Sequence, residues 1–204
     1  LSDLTECLRA RGHMVYVVTY TPLTTRTSKV LLREKLRNLE VHRVKWIGRG
    51  LFLKFEPYFT LQFIYLFPPL FMYTLIFMLR HKVDVIHAHG LIAASIAVLL
   101  SKLFKVRSVM SIHGIYNFRK KVLLRTLAKL VFFNLDLVLA LSERSKEDLM
   151  SVGIPESKIV IYTHWVDQEI FKPLKDVMEI RKRLGFQDGD FVILFVGRLL
   201  EKKG

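Results

Sequence analysis

The sequence has a single cysteine, Cys7, among 204 residues. That excludes an internal disulfide framework and fits a reducing compartment. Acid is also scarce: 18 Asp and Glu stand against 32 Lys and Arg, a formal charge of +14. Such an excess asks for an anionic partner, whether nucleic acid, a phosphorylated ligand or an acidic membrane surface. There is no compact Lys/Arg block and no aromatic-basic reading motif, so nucleic acid is not expected. A basic-then-apolar leader is missing too, and nothing signals secretion. Half the residues are hydrophobic and 15 are Phe, a composition that excludes disorder and suits one or two domains.

Four short runs organise what is there: VDVIHAHG (Val83 to Gly90), SVMSIHG (Ser108 to Gly114), DLVLALSE (Asp136 to Glu143) and FVILFVGR (Phe191 to Arg198). Each is largely β-branched or aliphatic, ends abruptly in small or polar residues, and is followed by a helix-like segment. Near-continuous apolar strands separated by helices predict a parallel sheet covered on both faces. Open sheets of this kind bind ligands at the carboxyl ends of their strands, and His87, His89, His113, Ser142 and Arg198 fall there.

In chain order, Ser2 to Arg11 reads as an amphipathic helix closed by Gly12. Met14 to Tyr20 reads as a strand and Leu39 to Ile47 as a more exposed one, because it alternates apolar and basic residues. Helices are expected at Leu91 to Phe104, at Arg119 to Phe132 with a basic run along it, and at Glu143 to Val152 behind a Ser142 cap. A short strand at Lys158 to Tyr162 precedes a looser connection with one helix near Asp176 to Leu184. The domain boundary is placed between Phe171 and Asp190. Leu1 opens inside a helix pattern and Gly204 stops where a helix should begin, so a first strand is expected upstream and the rest of a second domain downstream.

Tyr58 to Leu79 carries no charge over 22 residues, long enough as one helix to match a bilayer core. Pro68 and Pro69 at its centre predict instead two shorter helices, about Tyr58 to Phe67 and Leu70 to Arg80. A core helix pair is the preferred reading. A helix lying in the membrane interface and a true span are the alternatives, and nearby Lys54, Arg80, His81 and Lys82 favour the interface over the span.

VGRLLEKKG (Val196 to Gly204) follows a predicted strand. Gly197 permits a tight turn and Gly204 a close backbone approach, while Arg198 and Lys203 could converge on a phosphate at a helix amino terminus. His87, His89 and His113 raise a metal site, but no Asp, Glu or Cys nearby completes a ligand set, and none is expected. His87 reads as a satisfied structural histidine; His113, with Gly114 behind it, reads as a polar group at a pocket rim. No Gly-x-Ser-x-Gly turn supports a hydrolase.

Taken together, RGH (Arg11 to His13), DVIHAHG (Asp84 to Gly90), IHG (Ile112 to Gly114), LSERSKEDL (Leu141 to Leu149), GIPESKIVIYTHWVDQEIF (Gly153 to Phe171) and the terminal FVGRLLEKKG resemble, in order, the motifs of the group 1, family 4 glycosyltransferases. The resemblance implies the α/β GT-B fold, two Rossmann-like domains facing across a cleft. Here that means an amino-terminal, acceptor-side domain over 1–171, a connection over 172–190, and the first strand and phosphate loop of the donor domain over 191–204, the rest of that second domain being absent. It implies donor-diphosphate binding by Gly197, Arg198, Lys203 and Gly204, His113 as the catalytic-site histidine against the donor sugar, and His89, Gly114 and Tyr116 at the pocket rim. Thr163 to Asp167 depart from the family's usual Pro-Asn-Gly-Val-Asp.

The implied activity is retaining transfer of a hexose or N-acetylhexosamine from a nucleotide-sugar to a sugar or lipid-linked acceptor, without metal or other cofactor. The expected place is cytoplasmic, peripheral at the inner membrane face and in contact with anionic lipid. The family's Gly-rich first turn and paired-Glu motif are not in these 204 residues, so this chain alone is expected to be inactive. The alternative is a non-enzymatic membrane-surface or anion-binding module.

Overall fold

A computed structural model describes residues 2–22, 30–36, 38–45, 48, 51–55, 58–113, 122–163, 166, 168–173, 177–187 and 189–196. The chain divides into two compact units, Leu1–Thr163 and His164–Gly204. In the first, α1 (Ser2–Ala10) leads through Gly12 into β1 (Val15–Tyr20), followed by β2 (Arg33–Leu36), β3 (Leu39–Val44), α2 (Leu51–Phe55) and α3 (Phe59–Arg80). Then come β4 (Val85–His89), α4 (Leu91–Phe104), β5 (Arg107–Ser111), α5 (Val122–Asn134), β6 (Leu137–Ala140), α6 (Glu143–Ser151) and β7 (Ile159–Ile161).

The strands form two sheets. One has the order β1-β3-β2, with β1 and β3 parallel and β2 antiparallel to β3; the other is all parallel, in the order β4-β5-β6-β7. Sequential order with a helix after each of β4, β5 and β6 is the pattern of right-handed crossovers. Phe132, Leu100, Met110, Leu135, Leu149 and Val138 are the largest wholly buried side chains. They come from α4, α5, α6, the strands those helices cover and, for Leu135, the turn between α5 and β6, and each contributes about 2 kcal/mol of apolar burial.

Local signals explain the boundaries. Leu91–Phe104 matches its sequence reading and ends where Lys105 takes φ 57° and its N–H bonds the Ser101 carbonyl, a left-handed close to a helix. Ser142 accepts a hydrogen bond from the Ser145 N–H at 3.2 Å, the N-cap expected there. Asp136 Oδ2 accepts from the Ser108 N–H at 2.9 Å and its hydroxyl at 3.0 Å, tying the entries of β5 and β6 together.

Three expectations are corrected. The strand read as exposed, β3, is the centre of its sheet and buries Leu39, His42 and Val44; its basic residues alternate, but one of them, His42, points inward. The charged strand β2 was not anticipated, because Arg33–Leu36 has no apolar alternation. Such a sequence suits an edge. The pair of short helices is instead one helix, Phe59–Arg80, with Pro68 and Pro69 inside it. Burial of Leu66 before the prolines and of Phe77 and Met78 after them holds one direction through the pair. The Tyr20 hydroxyl also donates to the Leu66 carbonyl.

The second unit contains α7 (Met178–Arg183), closed by Gly185 at φ 83°. Arg181 Nη2 donates to the carbonyl oxygens of Gln187 at 3.2 Å and Asp190 at 2.6 Å. Residues 191–196, read as a strand, pair with no other described strand, and their side chains are exposed; a strand needs a neighbour for its backbone groups.

Candidate functional site

The site is built at the carboxyl ends of β4 and β5. Their register sets His87 against Val109 and His89 against Ser111. A strand's period of two puts His87 and His89 on one face, and their rings stack with centroids 4.6 Å apart. The ring of His113, just past β5, has its centroid 4.9 Å from that of His89, with the two planes 17° apart. His89 Nδ1 lies 2.6 Å from His113 Nε2, and His87 Nε2 lies 2.8 Å from the Ser111 hydroxyl oxygen. Behind His89 the chain turns through Gly90 at φ 89° into α4. A Cβ there would meet nothing within 4 Å, so the backbone angle and not crowding selects glycine.

Burial, and then the neighbouring His113, hold His87 below its ordinary pKa. Burial, followed by His87 and His113, pushes His89 down to about 4. At neutral pH His89 is therefore uncharged, and a single N–H serves its bond to His113. An uncharged imidazole can take a proton from its exposed neighbour or return it, a transfer that moves charge within the pair. A hollow of about 340 Å³ runs beside the site between β1 and β4, lined in part by Val18, Thr19, Tyr20, His87, His89 and Ile92.

Of the residues singled out in the sequence, the structure brings His87, His89 and His113 together, and His87, read as a satisfied structural histidine, is part-buried with the Ser111 hydroxyl as its partner. Among the described residues no three His, Cys, Asp or Glu form a group that could hold a metal ion. Gly114, Tyr116, Gly197, Arg198, Lys203 and Gly204 lie outside the described residues. Sequence reasoning missed Ser111 as the partner of His87, although its position two residues before His113 on an alternating strand was the signal for it.

A parallel sheet with helical crossovers and polar side chains collected at its strand ends is the α/β architecture of a GT-B glycosyltransferase domain. The chain belongs to Glycosyltransferase Family 4, whose model matches residues 1–170. It is 27% identical over 135 residues to an uncharacterised glycosyltransferase of Methanocaldococcus jannaschii, covering 60% of this chain and 34% of that protein. It is 33% identical over 60 residues to the alpha-galactosylglucosyldiacylglycerol synthase of Streptococcus pneumoniae, covering 28% of this chain and 16% of that one. The chain thus spans about a third or less of the curated relatives it matches.

Among solved structures it resembles sucrose-phosphate synthase from Thermosynechococcus elongatus with a TM-score of 0.74 at 16% identity, covering 99% of this chain and 50% of that one. It also resembles Anabaena HepE, solved in complex with UDP-glucose, with a TM-score of 0.54 at 18% identity, covering 71% and 36%. At these identities the likeness is one of fold.

Proposed function

We propose that the protein to which this chain belongs transfers a hexose or N-acetylhexosamine from a nucleotide-sugar to an acceptor with retention of configuration, and that this chain supplies the acceptor-side domain. The observation that carries the reading is the His89–His113 pair at the carboxyl ends of adjacent parallel strands in a chain of this family. In the proposed site His113 meets the donor sugar, with His89, Gly114 and Tyr116 at the rim. Gly197, Arg198, Lys203 and Gly204 take the diphosphate. Loss of a nucleoside diphosphate builds negative charge, which fixed cations and helix amides neutralise without a metal.

A lipid-linked acceptor at the cytoplasmic membrane face belongs to the same proposal. It is supported by the uncharged outward side of α3 and by the 60-residue likeness to a relative named for making a diacylglycerol glycolipid. A uridine diphosphate sugar is the first donor to try, since one fold neighbour is solved with UDP-glucose.

The test is a radiolabelled transfer assay on the whole protein with a panel of nucleotide-sugars and membrane-lipid extracts. Transfer that falls on the order of a hundredfold or more in His113→Ala, Arg198→Ala and Lys203→Ala is expected. Unchanged kinetics in the last two would overturn the diphosphate assignment, and no transfer from any donor would overturn the reaction.

A further inference from the structure

Helix α3 is fastened to the small sheet along its length. Leu66 takes the Tyr20 hydroxyl on its carbonyl, the Tyr73 hydroxyl lies 2.9 Å from His42 Nδ1, and Phe77 packs edge-on against His42 at 4.9 Å between centroids. A helix held this way cannot cross a bilayer without carrying β1 and β3 into it. Its other side is nevertheless apolar: Leu61, Ile64, Met72, Ile76 and Leu79 point outward, with Ile64 63% and Leu79 69% exposed. Charge begins only at its ends, with Lys54 before it, Arg80 as its last residue and Lys82 after it, all exposed. A one-sided apolar stripe with cations at its margins is the pattern of a helix resting in a membrane interface.

At the carboxyl-terminal half of this stripe a cleft of about 420 Å³ opens between α3 and the β2–β3 hairpin. Its floor is Tyr73, Phe77 and His42, and Ile76 and Arg80 belong both to its wall and to the outward side of the helix. Both carboxylates in the cleft are already matched. Glu34 Oε1 lies 2.8 Å from Arg43 Nη1, and Glu40 Oε1 lies 2.7 Å from Lys35 Nζ, with its second oxygen 3.5 Å from His42 Nε2. Arg33 and Arg80 line the same cleft and enter no ion pair among the described residues. The cleft therefore offers two guanidinium groups in excess of its acids, at the edge of an apolar stripe. A guanidinium suits the planar, bidentate recognition of phosphate oxygens.

We propose that this cleft binds the headgroup phosphate of an anionic phospholipid, Arg33 and Arg80 holding the phosphate while the outward stripe of α3 lies among the upper acyl chains. The inference rests on the membrane-face reading above and adds to it a defined lipid site, remote in the fold from the histidine cluster. Charge complementarity selects the occupant: the chain is strongly basic, the cytoplasmic leaflet is negative, and an apolar helix beside the cations excludes a freely soluble phosphate as the natural fit.

The test is vesicle co-sedimentation of the 204-residue chain with phosphatidylcholine alone and with phosphatidylcholine containing phosphatidic acid. Circular dichroism checks that each variant is folded. Binding to the phosphatidic-acid vesicles is expected to fall about thirtyfold or more in the Arg33→Gln, Arg80→Gln double variant, and distinctly less in Lys54→Gln, Lys82→Gln, which removes the same charge outside the cleft. Ile76→Ser is expected to weaken binding as well. Equal losses in the two double variants would mean diffuse attraction and would overturn the site while leaving membrane contact standing. Binding to neither vesicle would overturn both. If inorganic phosphate alone raises the melting temperature and the effect disappears in the Arg33→Gln, Arg80→Gln variant, while vesicles bind without regard to it, the ligand is free phosphate and the lipid assignment fails.

Discussion

His89 and His113 lie edge to edge, their ring planes 17° apart and Nδ1 of the first 2.6 Å from Nε2 of the second, so a hydrogen bond to the half-buried imidazole holds the orientation of the exposed one. If His113 works on the donor sugar, His89 is its positioning residue. In the whole protein, His89→Leu is expected to lower kcat about tenfold with little change in KM, the size of one lost hydrogen bond. His89→Asn, which keeps a polar atom near the place of Nδ1, should recover most of it. Equal losses in the two variants would mean that the ring matters for packing and not for the bond.

The same pair predicts a pH effect on stability. His89 is held down to about 4 against an ordinary value of 6.5, first by burial and then by its histidine neighbours. Between those values the unfolded chain binds a proton that the folded one does not, so stability is full above about pH 6.5 and is lost as pH falls toward 4. Discounted for the partial exposure of the ring, the loss is about 1 to 2 kcal/mol. Urea titrations at a series of pH values should show it, and His89→Leu should flatten the curve over that interval.

Asp136 makes a separate contribution. The guanidinium of Arg107, at 2.6 Å, and the N–H and hydroxyl of Ser108 hold its carboxyl below the usual carboxylate range. Arg107 is the first cause of that shift and the Ser108 backbone N–H the second; because Arg107 is largely exposed, solvent screens the stability its ion pair contributes. Asp136→Asn is expected to lower stability by about 1 kcal/mol, and Asp136→Ala by about 2. The Asp136 contribution is present above about pH 4 and lost below it, so the gap between wild type and Asp136→Ala measured by urea unfolding should close as the carboxyl is protonated.

Much of this architecture was legible in the residues because it is written in local patterns. The runs around Ile86, Val109 and Val138 are too apolar for anything but strands covered on both sides. Helix α4 has its glycine turn before it, and Ser142 announces α6. The histidine cluster was half legible, since motif position placed His89 and His113 at strand ends. Their direct bond depends on the β4–β5 register, which no sequence spacing fixes. His42 and Tyr73 lie 31 residues apart, and nothing in LEVHRV marks its histidine as buried; the packing of α3 across β3 decides it. The strand Arg33–Leu36 was illegible for a related reason. Only its partner β3 makes a charged tetrapeptide into an edge.

The prolines of α3 are where a local rule met a stronger tertiary one, and they can be tested directly. The N–H groups missing at Pro68 and Pro69 are those an ordinary helix turns toward the carbonyls of Ile64 and Tyr65, and each interior proline costs on the order of 3 kcal/mol in an isolated helix. Here Leu66 on one side and Phe77 and Met78 on the other are buried, and separating the halves would expose one set or the other. The Tyr20 hydroxyl pins the Leu66 carbonyl beside the break. If tertiary burial alone keeps the helix continuous, Pro68→Ala should restore a backbone bond and raise stability by about 1 kcal/mol or more, and Tyr20→Phe should lower it by about 1 kcal/mol. In the double variant the Tyr20→Phe loss should shrink, because a helix with its own bond depends less on that anchor. A fall in stability for Pro68→Ala, read by thermal unfolding, would show instead that the proline pair sets a bend the packing of α3 requires.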